Sequence, residues 1–179
     1  MAYFEFVTDR QIYKKVIQDL VPHAQSFVWI GTADMKDMYV DKRGESVPFL
    51  EILSDLVTKR IAVRLMYAKE PGPIFRADFD RYENLFDGLE RMRCPRVHFK
   101  MIIVDGHTAF VGSANLTGAG MGAKSNFKRN FESGFIVSDD KQLLSQIMNQ
   151  FDGVWRGEHC SMCQRKEFCE EYSEMESDV

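Results

Sequence analysis

The sequence predicts an α/β fold, in which a mixed β-sheet is flanked by helices and followed by a short cysteine-rich C-terminal segment. Three observations lead to this prediction. Apolar runs typical of strands alternate with helical periodicities along the first half of the chain. Two β-rich runs then enclose Asp105-Gly106, which indicates a hairpin. Three of the four cysteines, finally, lie within ten residues near the C-terminus.

The first half of the chain predicts three helices and two strands. Thr8 and Gln11 have capping-box spacing and precede an amphipathic helix that ends at Pro22. Residues 26–31 are typical of a buried strand, and residues 34–46 of a loop. Pro48 opens a second helix, and residues 61–68 form an inner strand. After a break at residues 71–73, helical spacing predicts a third helix with apolar positions at Phe79, Tyr82, Phe86 and Leu89.

The second half predicts the hairpin, a loop, a strand and a last helix. Residues 96–104 and 107–111 are the hairpin strands, and a two-residue turn would pair His98 with Ser113 and Lys100 with Val111. Residues 114–130 carry several glycines and basic residues, which predicts a flexible loop with residues 118–122 as its most mobile part. Residues 131–137 form another strand, and Asp139 starts the last helix.

Length, composition and charge limit the classes of function. With 179 residues, 45% of them hydrophobic, the chain can form one domain over 1–157, followed by a cysteine-rich segment and acidic tail over 158–179. Its apolar runs are far shorter than the roughly 18 residues that span a bilayer. We see no export signal and expect a cytoplasmic protein with reduced thiols. Residues 90–130 hold seven bases and two acids, which fits either a polyanionic substrate or a solvated surface.

Side chains suited to phosphate chemistry lie around the hairpin. His98 and Lys100 are two residues apart on a predicted strand, so both point to the same face. There the ammonium can neutralise a phosphoryl oxygen while the imidazole attacks or transfers a proton. Gly112 permits a close backbone approach, and the Ser113 hydroxyl and the Asn115 amide can donate to a second phosphate oxygen.

These residues have the spacing His98-x-Lys100-x4-Asp105-x6-Gly112-Ser113-x-Asn115. The spacing resembles the HKD signature of the phospholipase D superfamily, and Asn130-x-Glu132 resembles the Asn-x-Glu that often follows it. The resemblance implies a phospholipase D-like fold over the flanking elements.

The resemblance also implies a role for each residue. His98 would be the nucleophile that forms a phosphohistidine intermediate, while Lys100, Ser113 and Asn115 would bind the phosphate. Glu132 would orient the imidazole through its other ring nitrogen. Asp105 and Gly112 would be structural parts of the motif, as the position of Asp105 in a turn also indicates.

The chain has one copy of the motif, whereas superfamily enzymes use two. In this it resembles the bacterial Nuc endonucleases and the Zucchini-type proteins, which are homodimers with the active site on the two-fold axis. The resemblance implies a homodimeric nuclease acting on nucleic acid without a catalytic metal. A phospholipase D-type lipid phosphodiesterase and a non-catalytic nucleic-acid-binding module remain alternatives.

The hydrolytic chemistry leaves the four cysteines unexplained. Cys160-x2-Cys163-x5-Cys169 with the distant Cys94 resembles the [4Fe–4S] module of the iron–sulphur RecB-type nucleases, a likeness of ten residues plus Cys94. Zinc ribbons usually use two Cys-x-x-Cys pairs, and this chain has one, so we favour a structural [4Fe–4S] cluster and keep Zn²⁺ as the alternative. Four unrelated buried thiols are the simplest other explanation.

Overall fold

Nine strands and five α-helices follow one another within residues 2–36 and 38–169, which the computed structural model describes. The strands are β1 (Tyr3–Thr8), β2 (Phe27–Thr32), β3 (Tyr39–Lys42), β4 (Glu45–Pro48), β5 (Ala62–Tyr67), β6 (Leu89–Arg93), β7 (Met101–Val104), β8 (Thr108–Gly112) and β9 (Ser133–Ser138). The α-helices are α1 (Arg10–Ile12), α2 (Phe49–Thr58), α3 (Pro73–Phe79), α4 (Asn84–Gly88) and α5 (Lys141–Trp155). A π-helical stretch (Tyr13–Leu20) and a 3₁₀ turn (Val21–His23) continue α1, and another 3₁₀ turn spans Lys166–Phe168. The acidic tail from residue 170 onward lies outside the described residues.

Seven strands form one mixed sheet in the order β1-β9-β8-β7-β2-β5-β6. β2, β5 and β6 are parallel neighbours, and the remaining neighbours are antiparallel. β3 and β4 form a separate hairpin. The predicted fold class, a mixed sheet flanked by helices, is therefore confirmed.

Each face of the large sheet is covered by apolar packing, because strand side chains alternate between faces. On one face, Ile102 and Val104 pack with the helical segment after β1 and with α2. On the other face, Met101 and Ile103 pack with α5. None of the helices in the described ranges has the length and apolarity needed to cross a bilayer.

The hairpin between β7 and β8 confirms the predicted turn and corrects its register. Asp105 and Gly106 both have positive φ, 54° and 72°, as a type I′ turn requires, and the His107 N–H donates to the Val104 carbonyl at 3.2 Å. Thr108 pairs with Val104, however, so His107 is one extra residue between the turn and β8. The register therefore moves by one position and differs from the predicted pairing.

Three parts of the first half differ from the prediction, and the first is β1 (Tyr3–Thr8), which was not predicted. Residues 34–46, predicted as a loop, contain β3 and the first two residues of β4. The predicted third helix is two short helices, α3 and α4, followed by a strand, because Leu89 opens β6 beside β5. Leu89 is buried in β6, and the predicted helix would also have buried it. Its apolar character therefore does not distinguish a helix from a strand.

The glycine-rich part of the loop at residues 114–130 is packed, contrary to the prediction that it is mobile. Met121 belongs to the core and is 2% exposed. Gly122 lies against the backbone of Asp9, and the Arg10 guanidinium donates to the carbonyls of Gly122 and Ala123 at 3.0 and 2.8 Å. The lack of apolar periodicity did not indicate this packing, because the contacts are made by backbone and by one methionine.

Candidate active site

An extended segment immediately before β7 carries His98 and Lys100. The predicted strand from residue 96 begins only at Met101, although the Gly112 N–H still donates to the Lys100 carbonyl at 3.1 Å. Between the two polar residues, the Phe99 ring lies over Gly31, where an added Cβ would be 2.3 Å from the ring. Phe99 thus anchors the segment to the sheet and leaves His98 exposed.

The His98 and Lys100 side chains meet on the same side of this segment. The Lys100 Nζ is 3.2 Å from the His98 Nδ1 and donates to the His98 carbonyl at 2.7 Å. An ammonium only donates hydrogen bonds, so Nδ1 is the acceptor in this contact and the hydrogen of a neutral imidazole lies on Nε2. The ammonium is thereby held beside the ring.

Ser113 and Glu132 face each other where β8 ends and β9 begins. The Ser113 hydroxyl donates to Glu132 Oε2 and accepts the Ser133 N–H at 3.1 Å. The strands approach closely here because Gly112 pairs with Gly134: a Cβ on Gly112 would be 2.5 Å from the Ser133 carbonyl oxygen. The close approach predicted for Gly112 is therefore to the neighbouring strand.

Asn115 is held at the end of β2 by backbone and hydroxyl groups. Its Oδ1 accepts the Asp34 N–H at 3.2 Å and lies 3.5 Å from the Thr32 hydroxyl. Thr32 is 1% exposed, and its hydroxyl also accepts the Leu116 N–H at 2.9 Å. With Oδ1 occupied in this way, the amide N–H₂ of Asn115 is the group that remains suited to donate to an anion.

The Asp105 carboxylate lies at the opposite end of the hairpin and binds the backbone that enters β2. It accepts three N–H groups, from Gln25 at 2.8 Å, Ser26 at 2.7 Å and Phe27 at 2.9 Å. Burial alone would raise the pKa of Asp105, but these three hydrogen bonds outweigh burial and lower it. Asp105 therefore stabilises the turn and joins it to the start of β2.

The structure gives Glu132 other partners than the resemblance implies. Its carboxylate bonds the Ser113 hydroxyl and the Asn130 amide, the latter at 3.1 Å, while the His98 imidazole contacts Lys100. Its backbone is paired with Asp9, whose carboxylate accepts the Glu132 N–H at 2.9 Å. Asp9 and Thr32 were not identified from the sequence, since they lie far from the motif along the chain and no spacing points to them.

The four cysteines line a single cavity of about 490 Å³. Burial is the main cause that raises the pKa of Cys94, and the nearby thiols Cys169 and Cys160 raise it further. Cys163 Sγ accepts the Arg165 N–H at 3.4 Å, and this bond is the main cause that lowers its pKa. None of the four, all within the described ranges, forms a disulfide. Three or more His, Cys, Asp or Glu side chains converging on a point that could hold one metal ion do not occur among the residues described.

Comparison with known proteins identifies the family model that the chain matches. Residues 16–155 match the family described as cardiolipin synthase, PLD-like domain. This range includes every residue of the HKD-like spacing and the Asn-x-Glu that follows. No curated protein is similar enough to the chain to count as a match.

Solved structures with different functions resemble the whole domain. The crystal structure of Nuc, a phospholipase D family member from Salmonella typhimurium, is 14% identical with a TM-score of 0.61, covering 87% of this chain and 95% of that chain. TrmBL2, an archaeal chromatin protein with a novel mode of DNA binding, is 15% identical with a TM-score of 0.57, covering 86% and 52%. Phosphatidylserine synthase from Haemophilus influenzae is 15% identical with a TM-score of 0.55, covering 86% and 38%. At these identities the likeness shows the fold, which nucleic-acid and lipid proteins share.

Proposed function

This chain belongs to the phospholipase D superfamily of phosphodiesterases, and from that membership we propose that it is a nuclease whose nucleophile is His98. One observation carries the proposal. The exposed imidazole and the Lys100 ammonium lie together beside β7, and the neighbouring strand β8 ends at the Ser113–Glu132 pair. A nucleophile, a cation and a hydroxyl donor are the groups that phosphoryl transfer requires.

Substrate binding would exchange hydrogen-bond partners within the site. Attack by Nε2 requires the hydrogen to lie on Nδ1, whereas Nδ1 now faces Lys100. A phosphoryl oxygen that accepts from the ammonium would free Nδ1 to carry the hydrogen. If the phosphate also takes the Ser113 hydroxyl, the Glu132 carboxylate would lose that donor and accept the Nδ1 hydrogen instead. The orienting role of Glu132 would then arise only in the substrate complex.

The two chemical steps need a second proton-transfer group. His98 forms a bond to phosphorus while the bond from phosphorus to the leaving oxygen breaks, and the leaving oxygen takes a proton from His98 of the partner subunit. Water then attacks the phosphohistidine, gives its proton to the same partner imidazole and releases His98. We therefore propose a homodimer in which each subunit contributes one HKD motif.

Exposed aromatic side chains on β1 and β9 support the binding of a second copy of the chain at the β1 edge of the sheet. Phe6 on β1 and Phe135 on β9 are 58% and 52% exposed, with ring centroids 5.2 Å apart. Phe135 is three residues from Glu132, so this pair lies close to the site along β9. Adjacent exposed aromatic rings are costly in water and are typical of interfaces.

The segment before Glu132 supports a nucleic-acid substrate. Phe127 and Phe131 are 99% and 94% exposed, and Lys124, Lys128 and Arg129 lie in the same segment. Aromatic rings that stack on bases, together with cations that contact phosphates, form the usual surface for single-stranded nucleic acid. We propose that this basic aromatic segment, residues 124–131, binds the strand that is cleaved.

A lipid phosphodiester is the second candidate substrate, because the same two exposed phenylalanines would also suit an acyl-chain surface. The basic residues between them favour nucleic acid. A cytoplasmic location is part of the nuclease proposal and is supported by four cysteines without a disulfide.

The substrate is tested with the purified full chain in EDTA. End-labelled single- and double-stranded oligonucleotides and phosphatidylcholine vesicles are supplied in parallel. We expect oligonucleotide cleavage without headgroup release. Phe127→Ala should raise the KM for single strands about fivefold or more, since stacking contributes about 1–3 kcal/mol per base, whereas Ser125→Ala in the same segment should not. Headgroup release alone, or oligonucleotide binding without cleavage, would contradict the proposal.

The dimer is tested by light scattering and turnover on the same samples. The wild-type chain should have twice the mass of the 20.7 kDa protomer. Phe135→Lys should lower both the dimer fraction and kcat, while Ile74→Lys, an exposed position on α3, should change neither. A fully active monomer would rule out a shared site.

A further inference from the structure

The cysteine cavity lies between the C-terminal segment, residues 159–169, and residues 92–99 of the segment that carries His98. Cys94, Val97 and Phe99 line it from one side, and the cysteines that follow α5 line it from the other. His98 and Lys100 do not belong to its lining. Residues 94–99 thus contribute to the cavity through Cys94, Val97 and Phe99, while His98 of the same segment belongs to the candidate active site.

The lining charges suit a set of thiolates. Arg93, Arg96, Arg156 and Lys166 line the cavity, and its lining contains no Asp or Glu among the described residues. Four thiolates together would carry a large negative charge, which the surrounding cations offset. The N–H donated to Cys163 Sγ is the type of contact that stabilises a metal-bound sulfur.

The C-terminal segment is already fastened to this wall by two hydrogen bonds. The Arg93 guanidinium donates to the Phe168 carbonyl at 3.3 Å, and the Arg96 guanidinium donates to the His159 carbonyl at 3.4 Å. These bonds place residues 159–169 opposite Cys94. Three thiols close in the sequence and one distant thiol are thereby brought around the same space.

We propose that this cavity binds a [4Fe–4S] cluster through Cys94, Cys160, Cys163 and Cys169. A single Zn²⁺ with bonds of about 2.3 Å would hold all four sulfurs within about 4 Å of one another. In the structure no three of the described candidate ligands converge on one ion, although all four cysteines line the same cavity of about 490 Å³. A polynuclear centre with one thiolate on each iron fits that arrangement. This inference does not depend on the substrate of the active site.

The experiment measures iron, zinc and acid-labile sulfide in the anaerobically purified full chain, together with its visible absorbance. We expect a brown protein with about four irons and about four sulfides per chain. Cys94→Ser and Cys169→Ser should each lose most of both. Met162→Ser is the matched control, since Met162 lies between two of the proposed ligands and is 90% exposed, and it should keep both.

The metal content of the wild-type chain decides the inference even if the cysteine variants precipitate. One zinc per chain without iron, or no metal at all, would overturn the [4Fe–4S] assignment. Iron that persists in both cysteine variants would overturn the proposed ligands.

Discussion

The two sides of residues 94–100 differ in how they are built. On the outer side, His98 and Lys100 are exposed or half-buried, and their mutual contact follows from a separation of two residues on extended chain. On the inner side, Cys94 and Phe99 line a cavity completed by residues more than 50 positions away. Under the two proposals above, catalysis and structural support are divided between the two sides of one segment, so variants on each side should have separable effects.

The largest difference between the effect on turnover and the effect on stability is expected from His98→Asn. Loss of the nucleophile should lower kcat by at least about 1,000-fold, because the remaining groups only bind the phosphate. Metal content and Tm should stay at the wild-type values. His107→Asn, at an exposed position in the same hairpin, should keep full activity. Near wild-type turnover by His98→Asn would contradict the mechanism.

Lys100→Met should lower kcat by about 100-fold or more, since one charge-stabilising donor is typically worth that much. The residue is on the outer side, so the metal content should again be unchanged. Steady-state kinetics provide the measurement, with Lys59→Met at the end of α2 as the control. An effect confined to KM would show that Lys100 binds the ground state and the transition state equally and would contradict its catalytic role.

Asp105→Asn should affect stability more than chemistry. An amide at this position can accept fewer of the three N–H bonds, so the free energy of unfolding should fall by about 2 kcal/mol. Urea denaturation measures the difference, and exposed Asp87→Asn serves as the control.

We also expect the loss of stability in Asp105→Asn to depend on pH. The folded pKa of Asp105 lies below its unfolded value, so its stabilising contribution is complete above about pH 4 and is lost as the pH falls through the folded pKa. The stability difference between wild type and Asp105→Asn should therefore shrink in acid. A difference that grows below pH 4 would contradict the assigned cause.

The smallest effect on turnover is expected from Cys163→Ser on the inner side. It should lower Tm and solubility, because a proposed ligand that joins the C-terminal segment to the wall is lost, but change kcat by less than about tenfold. Thermal unfolding and turnover of the same preparation provide the comparison. A loss of turnover as large as that of His98→Asn, without a change in Tm, would show that the two faces are not separable.

Local signals predicted a large part of the fold. Periodicity identified α2 and α5, and the turn residues Asp105 and Gly106 identified the hairpin. β1, β3, β4 and β6 were not predicted. β6 begins within a run of helical spacing, and it is a strand because β5 offers a parallel edge at Leu89. Such pairing depends on a neighbour that a local pattern does not contain.

The sequence by itself determined the family and the adjacency of His98 and Lys100, because a separation of two residues brings side chains together wherever the chain is extended. Only the tertiary structure decided that Glu132 contacts Ser113, that the Asp34 N–H holds Asn115 and that Cys94 shares a cavity with three distant cysteines. The physical reason is that these contacts require separate segments to be packed against one sheet, and the position of each segment follows from the burial of its apolar side chains across the whole domain.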